Sequence, residues 1–265
     1  MGETLELASL VSLKGRRALI TGAASGIGEA IAQRYAEAGA ELDLVDVNAA
    51  NLASAAESLR ETGATVHTHV VDLSRKAEVD ALWEGFGEDV PDTLVNNAGI
   101  YPFKHFVDTS EQLFRQVMEV NLFSVTWMCQ HMIRLRKDRG GVIVNLGSIE
   151  ALLPFKDDLS HYSVSKAGVI ALTRALAREH ARKGFRVNAI LPGGILTRGT
   201  REAAKRILRL QFGLLKTGYE FVQRLPVGRV GRPDEVARMA LVLASDLASY
   251  VHGAAIPVDG GFLTS

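Results

Sequence analysis

Seven short runs of this chain are almost uniformly apolar: ALIT (18–21), LDLVD (42–46), THVVD (68–72), TLVNNAG (93–99), GVIVNLGS (141–148), RVNAILPGG (186–194) and AAIPVDGG (254–261). A strand with one wet face alternates apolar and polar residues. A strand buried on both faces of a parallel sheet has no such alternation, and these Val-, Ile- and Leu-rich runs are of that kind. Between them, apolar residues recur at helical spacing over 26–38, 49–62, 74–86, 110–136, 160–183 and 234–245. Strand and helix in regular alternation predict an α/β fold: a doubly wound parallel sheet flanked by helices and joined by right-handed crossovers. Residues 197–225, TRGTREAAKRILRLQFGLLKTGYEFVQRL, break the rhythm. They read as a small, partly helical insert before the last strand, and open α/β sheets bind ligands beyond their strand C-termini. No linker, repeat or low-complexity block divides the chain, so residues 1–265 are expected to form a single domain.

Composition narrows the function classes. Lys plus Arg and Asp plus Glu number 30 each, so no basic excess calls for nucleic acid or an anionic membrane. A hydrophobic fraction of 47 % is that of a folded protein. No stretch nears the ~20 uncharged apolar residues of a membrane span. The start, MGETLELAS, carries Glu3 and Glu6 and no basic residue, unlike a secretory leader. The lone Cys129, in VTWMCQHMI, reads as a small buried hydrophobe rather than a catalytic thiol. Together these features predict a soluble cytoplasmic protein. His67 and His69 alternate along a strand with no third ligand spaced nearby, so no metal is expected.

The first helix begins in TGAASGIG (21–28). In such a loop Gly22 can turn the chain sharply, Gly26 can let backbone approach a bound group, and Gly28 can let helix and sheet pack closely. The free N–H groups and positive dipole end of the helix suit a pyrophosphate. Gly22, Ser25, Gly26, Ile27 and Gly28 are therefore candidate dinucleotide contacts. Asp46 follows Gly28 by eighteen residues. A carboxylate there accepts hydrogen bonds from a ribose 2′-OH and repels a 2′-phosphate, and neither AAS in the loop nor VN after Asp46 brings a compensating base. This predicts NAD rather than NADP.

In SHYSVSKAG (160–168), Tyr162 and Lys166 stand one helical turn apart, about 5–6 Å between Cβ atoms. An ammonium so placed favours the phenolate and is expected to lower the tyrosine pKa from ~10 toward neutrality. Ser148, ending an apolar run, is placed to hydrogen-bond the same reacting oxygen. On its own a Tyr-x-x-x-Lys pair is more often part of a solvated helix face; beside a dinucleotide loop it reads as acid/base chemistry.

TGAASGIG, NNAG (96–99), Ser148, YSVSK (162–166), PGGILT (192–197) and VDGG (258–261) resemble the short-chain dehydrogenase/reductase family in order and spacing, across about residues 14–262. The resemblance implies a Rossmann-like fold and hydride transfer between NAD(H) and a secondary alcohol or ketone. It implies that Asp72 and Leu73 flank the adenine and that Asn96, Asn97, Ala98 and Gly99 run along the cofactor. Asn121 would be a fourth catalytic residue, holding a water in a proton relay with Lys166. Lys166 would also bind the nicotinamide ribose, and Pro192, Gly193, Ile195 and Thr197 would cradle the nicotinamide amide and pyrophosphate. A small-molecule substrate and a homodimer or homotetramer are implied as well. The rival within the family is a 3-oxoacyl-(acyl-carrier-protein) reductase using NADPH, which the C-terminal phrase LPVGRVGRPDEVARM resembles. A non-catalytic dinucleotide sensor is set against the intact Asn121, Ser148, Tyr162 and Lys166.

The substrate pocket is expected near Tyr101–His105, Glu150–Phe155 and the insert. Arg198, Arg201, Lys205 and Arg209 would form a basic stripe if the insert is helical, read first as a solvated face and second as a contact for an anionic substrate. Trp127, Met128 and Met132 read as core or subunit contact, and His161 as a local structural residue.

Overall fold

The computed structural model describes residues 6–197 and 223–265. Its seven strands form one all-parallel sheet in the order β3-β2-β1-β4-β5-β6-β7. They are β1 (Arg17–Thr21), β2 (Glu41–Asp46), β3 (Val66–Val70), β4 (Thr93–Asn96), β5 (Gly141–Leu146), β6 (Phe185–Pro192) and β7 (Ala255–Val258). The main helices are α1 (Leu7–Val11), α2 (Gly26–Glu37), α3 (Ala49–Arg60), α4 (Lys76–Glu84), α5 (Glu111–Met118), α6 (Ser124–Leu135), α7 (Ser160–His180) and α8 (Pro233–Ala244). The chain order reverses between β1 and β4, and such a switch point opens a crevice at the strand C-termini.

Apolar residues coat both faces of the sheet. Ala18 and Ile20 of β1 pack with Ile31 and Tyr35 of α2, Leu52 and Ala56 of α3, and Val236 and Ala240 of α8. Leu19, between them in sequence, faces the other side, where Val79 and Trp83 of α4, Met128 and Met132 of α6, and Val169 of α7 form a second core. Cys129 is buried there, and burial pushes its thiol up to about 12. Asn96, Asn145 and Thr173 run through the interior as a chain of hydrogen bonds of 2.8 and 2.9 Å, tying β4 and β5 to α7.

Two expected boundaries move. The run 68–72 contributes to β3 only as far as Val70, because its one neighbour, β2, ends its pairing at Asp46 opposite Val70. Asp72 is thereby released into a loop, where its N–H donates to Glu78 Oε2 at 2.8 Å. The pattern 110–136 predicts one helix, but Glu119–Phe123 forms a wider π turn between α5 and α6. There the hydroxyls of Ser124 and Thr126 donate to the carbonyls of Val120 and Leu122, four residues back, at 2.6 and 2.9 Å. Such back-bonding loosens the α ladder, and π turns occur often at functional sites. The basic stripe Arg198, Arg201, Lys205 and Arg209 lies outside the described residues.

A charged cluster sits inside the other end of the sheet. Asp43 of β2 is fully buried. It accepts hydrogen bonds from Arg17 Nε at 2.6 Å, Arg17 Nη2 at 3.1 Å and His69 Nε2 at 2.8 Å. His67, on the same strand as His69, contacts Glu41 at 3.0 Å. Both histidines thus serve the sheet edge.

Candidate active site

The glycine loop connects β1 to α2, and its backbone explains two of its glycines. Gly22 and Gly26 both adopt φ of +64°, a region that side chains disfavour. Gly28 is needed for space: a Cβ there would lie 2.1 Å from the Gly22 carbonyl oxygen and 2.5 Å from Asn97 Nδ2. Asn97 stitches this loop to the end of β4, its Nδ2 donating to the Thr21 and Gly22 carbonyls at 3.0 Å each. Thr21 Oγ1 accepts in return from the N–H groups of Asn97 and Ala98, at 3.0 and 3.1 Å. Thr21 opens the motif TGAASGIG, but the sequence does not single out its bracing role. Gly28→Ala should cost about 1–3 kcal/mol, as overpacking does, and weaken dinucleotide binding at least about tenfold. Thermal melting and NADH titration check both effects.

Ser25, at the N-terminus of α2, makes no side-chain capping bond, so the first N–H groups of the helix are available to a ligand. Asp46 lies opposite. Its Oδ2 accepts the Ala24 N–H at 3.1 Å and its Oδ1 the Asn48 N–H at 2.9 Å, which fixes the carboxylate beside the loop. Asp72 is held well below the usual carboxylate range by the Ser74 hydroxyl and N–H, with Arg75 adding to the effect.

Tyr162 and Lys166 project from the first turns of α7. Lys166 is 4 % exposed, and its Nζ donates to the Leu146 carbonyl at 2.7 Å and lies 5.9 Å from the Tyr162 ring centroid. Ser148 caps the single turn Ile149–Ala151, its Oγ accepting the Glu150 N–H at 3.1 Å. Tyr101 stands edge-on to Tyr162, with centroids 6.1 Å apart. The expectation that Lys166 lowers the tyrosine pKa is corrected here. Burial pushes the Tyr162 phenol up to about 12, the Ser148 hydroxyl opposing and the Tyr101 and Glu150 charges adding. Burial likewise brings Lys166 down to about 8. Desolvation dominates the Tyr162 shift, and Lys166 is not among the groups that lower it.

The side chain of Asn121, in the π turn, braces the loop after Gly99 against α7. Its Oδ1 accepts the Ile100 N–H at 2.8 Å, and its Nδ2 donates to the Ile100 carbonyl at 2.8 Å and to Ser165 Oγ at 3.1 Å. Both amide protons are used, and Oδ1 keeps a second lone pair. His161 is buried and bonds the Pro102 carbonyl at 2.7 Å, a local tie.

One cavity of about 800 Å³ collects these residues. Gly22, Ser25, Gly26, Ile27, Asp46, Asp72, Leu73, Asn97, Ala98 and Gly99 line it together with Ser148, Tyr162, Lys166, Pro192, Gly193, Ile195 and Thr197, whereas Gly28 and Asn121 do not. Gly193 must remain small, since a Cβ would meet Asp259 Cα at 2.7 Å. A narrow glycine cradle, open helix N–H groups and a fixed acid fit a dinucleotide. Among the described residues no group of three His, Cys, Asp or Glu side chains could hold a metal, and no helix is long and apolar enough to cross a membrane.

Comparison with known proteins agrees with this geometry. A family model described as Enoyl-(Acyl carrier protein) reductase matches residues 22–263. The galactitol 2-dehydrogenase (L-tagatose-forming) of Cereibacter sphaeroides is 39 % identical, covering 97 % of this chain and 99 % of that one. A 3-oxoacyl-(acyl-carrier-protein) reductase of Chlamydia trachomatis is 36 % identical over 94 % of this chain and 98 % of its own. Among solved structures, the L-sorbose reductase of Gluconobacter frateurii, complexed with NADPH and L-sorbose, superposes with a TM-score of 0.89 at 32 % identity, covering 97 % and 99 % of the two chains.

Proposed function

The chain belongs to the short-chain dehydrogenase/reductase family, and from that membership we propose that it interconverts a secondary alcohol and its ketone with NAD(H), Tyr162 serving as the general acid/base. The observation that carries this reading is the convergence of Ser148, Tyr162 and Lys166 on the cavity that the glycine loop and Asp46 also line. When bound, the nicotinamide supplies the hydride acceptor and, oxidised, a positive charge that favours the phenolate. Tyr162 takes the hydroxyl proton during oxidation and returns it during reduction. Ser148 would hydrogen-bond the substrate oxygen, and Lys166 would hold a positive charge near the phenol and bind the nicotinamide ribose. Residues 1–265 act as one dinucleotide-binding and catalytic domain in this reading, with 197–225 as its substrate-binding insert and a second copy of the chain as partner.

NAD is proposed over NADP because Asp46 is fixed beside the glycine loop, where its carboxylate would repel a 2′-phosphate, with no base in the adjoining AAS and VN segments. The NADPH-bound sorbose reductase and the carrier-protein reductase support the opposite choice within the same family. Steady-state kinetics with each dinucleotide decides between them. The expected result is an NAD preference of about 10²-fold in kcat/KM, the worth of one charged hydrogen bond kept and one repulsion avoided. Asp46→Ser should erase most of it. An NADP preference, with turnover of a 3-oxoacyl thioester, would make the carrier-reductase reading the correct one.

A further inference from the structure

The cavity wall carries an acid that the proposed reaction does not use. Glu150 follows Ser148 by two residues, lines the cavity beside Tyr162, and is only 2 % exposed. Its Oε1 is buried with no hydrogen-bond partner. Its carboxylate is approached by two backbone N–H groups, that of Phe155 at 3.5 Å from Oε2 and that of Lys156. The local fold does not ask for this side chain: the cap at Ser148 uses the Glu150 backbone N–H. The cation nearby, the Lys156 ammonium, acts on it through its charge alone, opposing the effect of burial. Lys156 makes no ion pair with it among the described residues, and its ammonium sits 4.8 Å from the centre of the Phe103 ring. A buried carboxyl with unused hydrogen-bonding capacity destabilises the fold, and proteins keep such groups mainly where function requires them.

We infer that Glu150 is the substrate-selecting group of this cavity, and that it receives a second hydroxyl on the carbon next to the reacting one. The substrate class is thus a neutral vicinal diol or polyol, or the matching hydroxyketone. A hydroxyl is the complementary partner whichever way the carboxyl is protonated, because it both donates and accepts. Burial raises the Glu150 pKa, with the Phe155 and Lys156 N–H groups and the Lys156 charge opposing. The carboxyl turns freely about its last torsion, whose wells are broad, and this brings Oε1 to the ligand. A substrate carboxylate at this position would instead meet like charge or lose solvation without gain. Apolar Phe103, Phe155 and Ile149 line the remainder of the wall, suited to the carbon skeleton.

The inference rests on the alcohol dehydrogenase reading above, and matched probes separate the two. Full-length protein with NAD is offered 2-butanol, 2,3-butanediol and 3-hydroxybutyrate, and in parallel cyclohexanol and 1,2-cyclohexanediol in all stereoisomers. The diols are expected to exceed the mono-alcohols by about 10–100-fold in kcat/KM, with the hydroxy acid poorest. Glu150→Leu should reduce the diol advantage below about threefold, Glu150→Gln should keep part of it, and the Leu variant should melt no lower than the wild type. Equal use of diols and mono-alcohols, a parallel loss on both in Glu150→Leu, or preference for 3-hydroxybutyrate would each overturn the inference. Turnover confined to other neutral alcohols would overturn it while leaving the dehydrogenase reading standing. No turnover on any alcohol would end both. Should Glu150→Leu fail to fold, the wild-type diol preference and the Gln variant decide the matter.

Discussion

Tyr162→Phe is expected to lower kcat/KM for alcohol oxidation by about 10²–10⁴-fold, the range assigned to a positioned acid/base group, while NADH affinity stays within about twofold. The substitution removes one oxygen and keeps the ring, so the edge contact with Tyr101 and the Lys166 site beneath it persist. What is lost is the proton acceptor facing Ser148. The pH profile carries the sign. Burial pushes the phenol up to about 12 in the protein alone, so over the neutral and mildly alkaline range ionised Tyr162 is the scarce form. Wild-type oxidation should therefore climb as pH rises, and ketone reduction, which needs the protonated phenol, should not. The residual rate of the Phe variant should be flat where the wild type climbs. A variant that keeps more than about a tenth of the activity and the rising limb would remove Tyr162 from the acid/base role.

The residues most legible in sequence were those whose roles are set by local backbone. Seven apolar runs gave seven strands; the five inner ones are buried on both faces, as their lack of polar alternation implies, whereas the edge strands β3 and β7 are largely uncovered despite reading the same way. Gly22, Gly26 and Gly28 announced a tight turn because no other residue tolerates their angles or clearances. Features that depend on partners distant in sequence were less legible. The break in the 110–136 helix comes from two hydroxyls bonding backward and from Asn121 anchoring to Ile100, none of which alters apolar spacing. The sign of the Tyr162 shift was misjudged because the i, i+4 spacing to Lys166 is visible in sequence, whereas the burial that raises the phenol is a property of the assembled cavity. Glu150 was legible as a pocket residue, but its missing hydrogen bonds emerge only in three dimensions. Asp43, inside the run LDLVD, gave no warning at all, since its partners Arg17 and His69 belong to two other strands.

Asp43→Ala should be the most destabilising single change away from the cavity, costing about 3–5 kcal/mol, the usual result of deleting one member of a buried ion pair. The carboxylate is fully buried, whereas Arg17 reaches toward solvent and also meets Asp89 and Glu41. Removing Asp43 leaves the guanidinium over the Phe86 ring, 5.4 Å from its centre, and His69 without its acceptor. A melting temperature lower by roughly 6–20 °C follows for a chain of this size. The pH dependence identifies the cause. Burial alone would raise the Asp43 pKa, but the hydrogen bonds and charges of His69 and Arg17 overcome it and hold the carboxyl below its ordinary value. A group depressed in the folded state stabilises above its unfolded pKa, near 3.9, and that contribution is lost as pH falls through the folded value. The gap between wild type and Asp43→Ala should therefore be full at neutrality and close progressively below about pH 4. Replacing Arg17, Asp43 and His69 together by apolar residues of similar volume should recover most of the loss, because the cost lies in stranding charges rather than in losing their attraction. Urea unfolding across that pH range measures both; a gap that persists at low pH would assign the loss to packing instead.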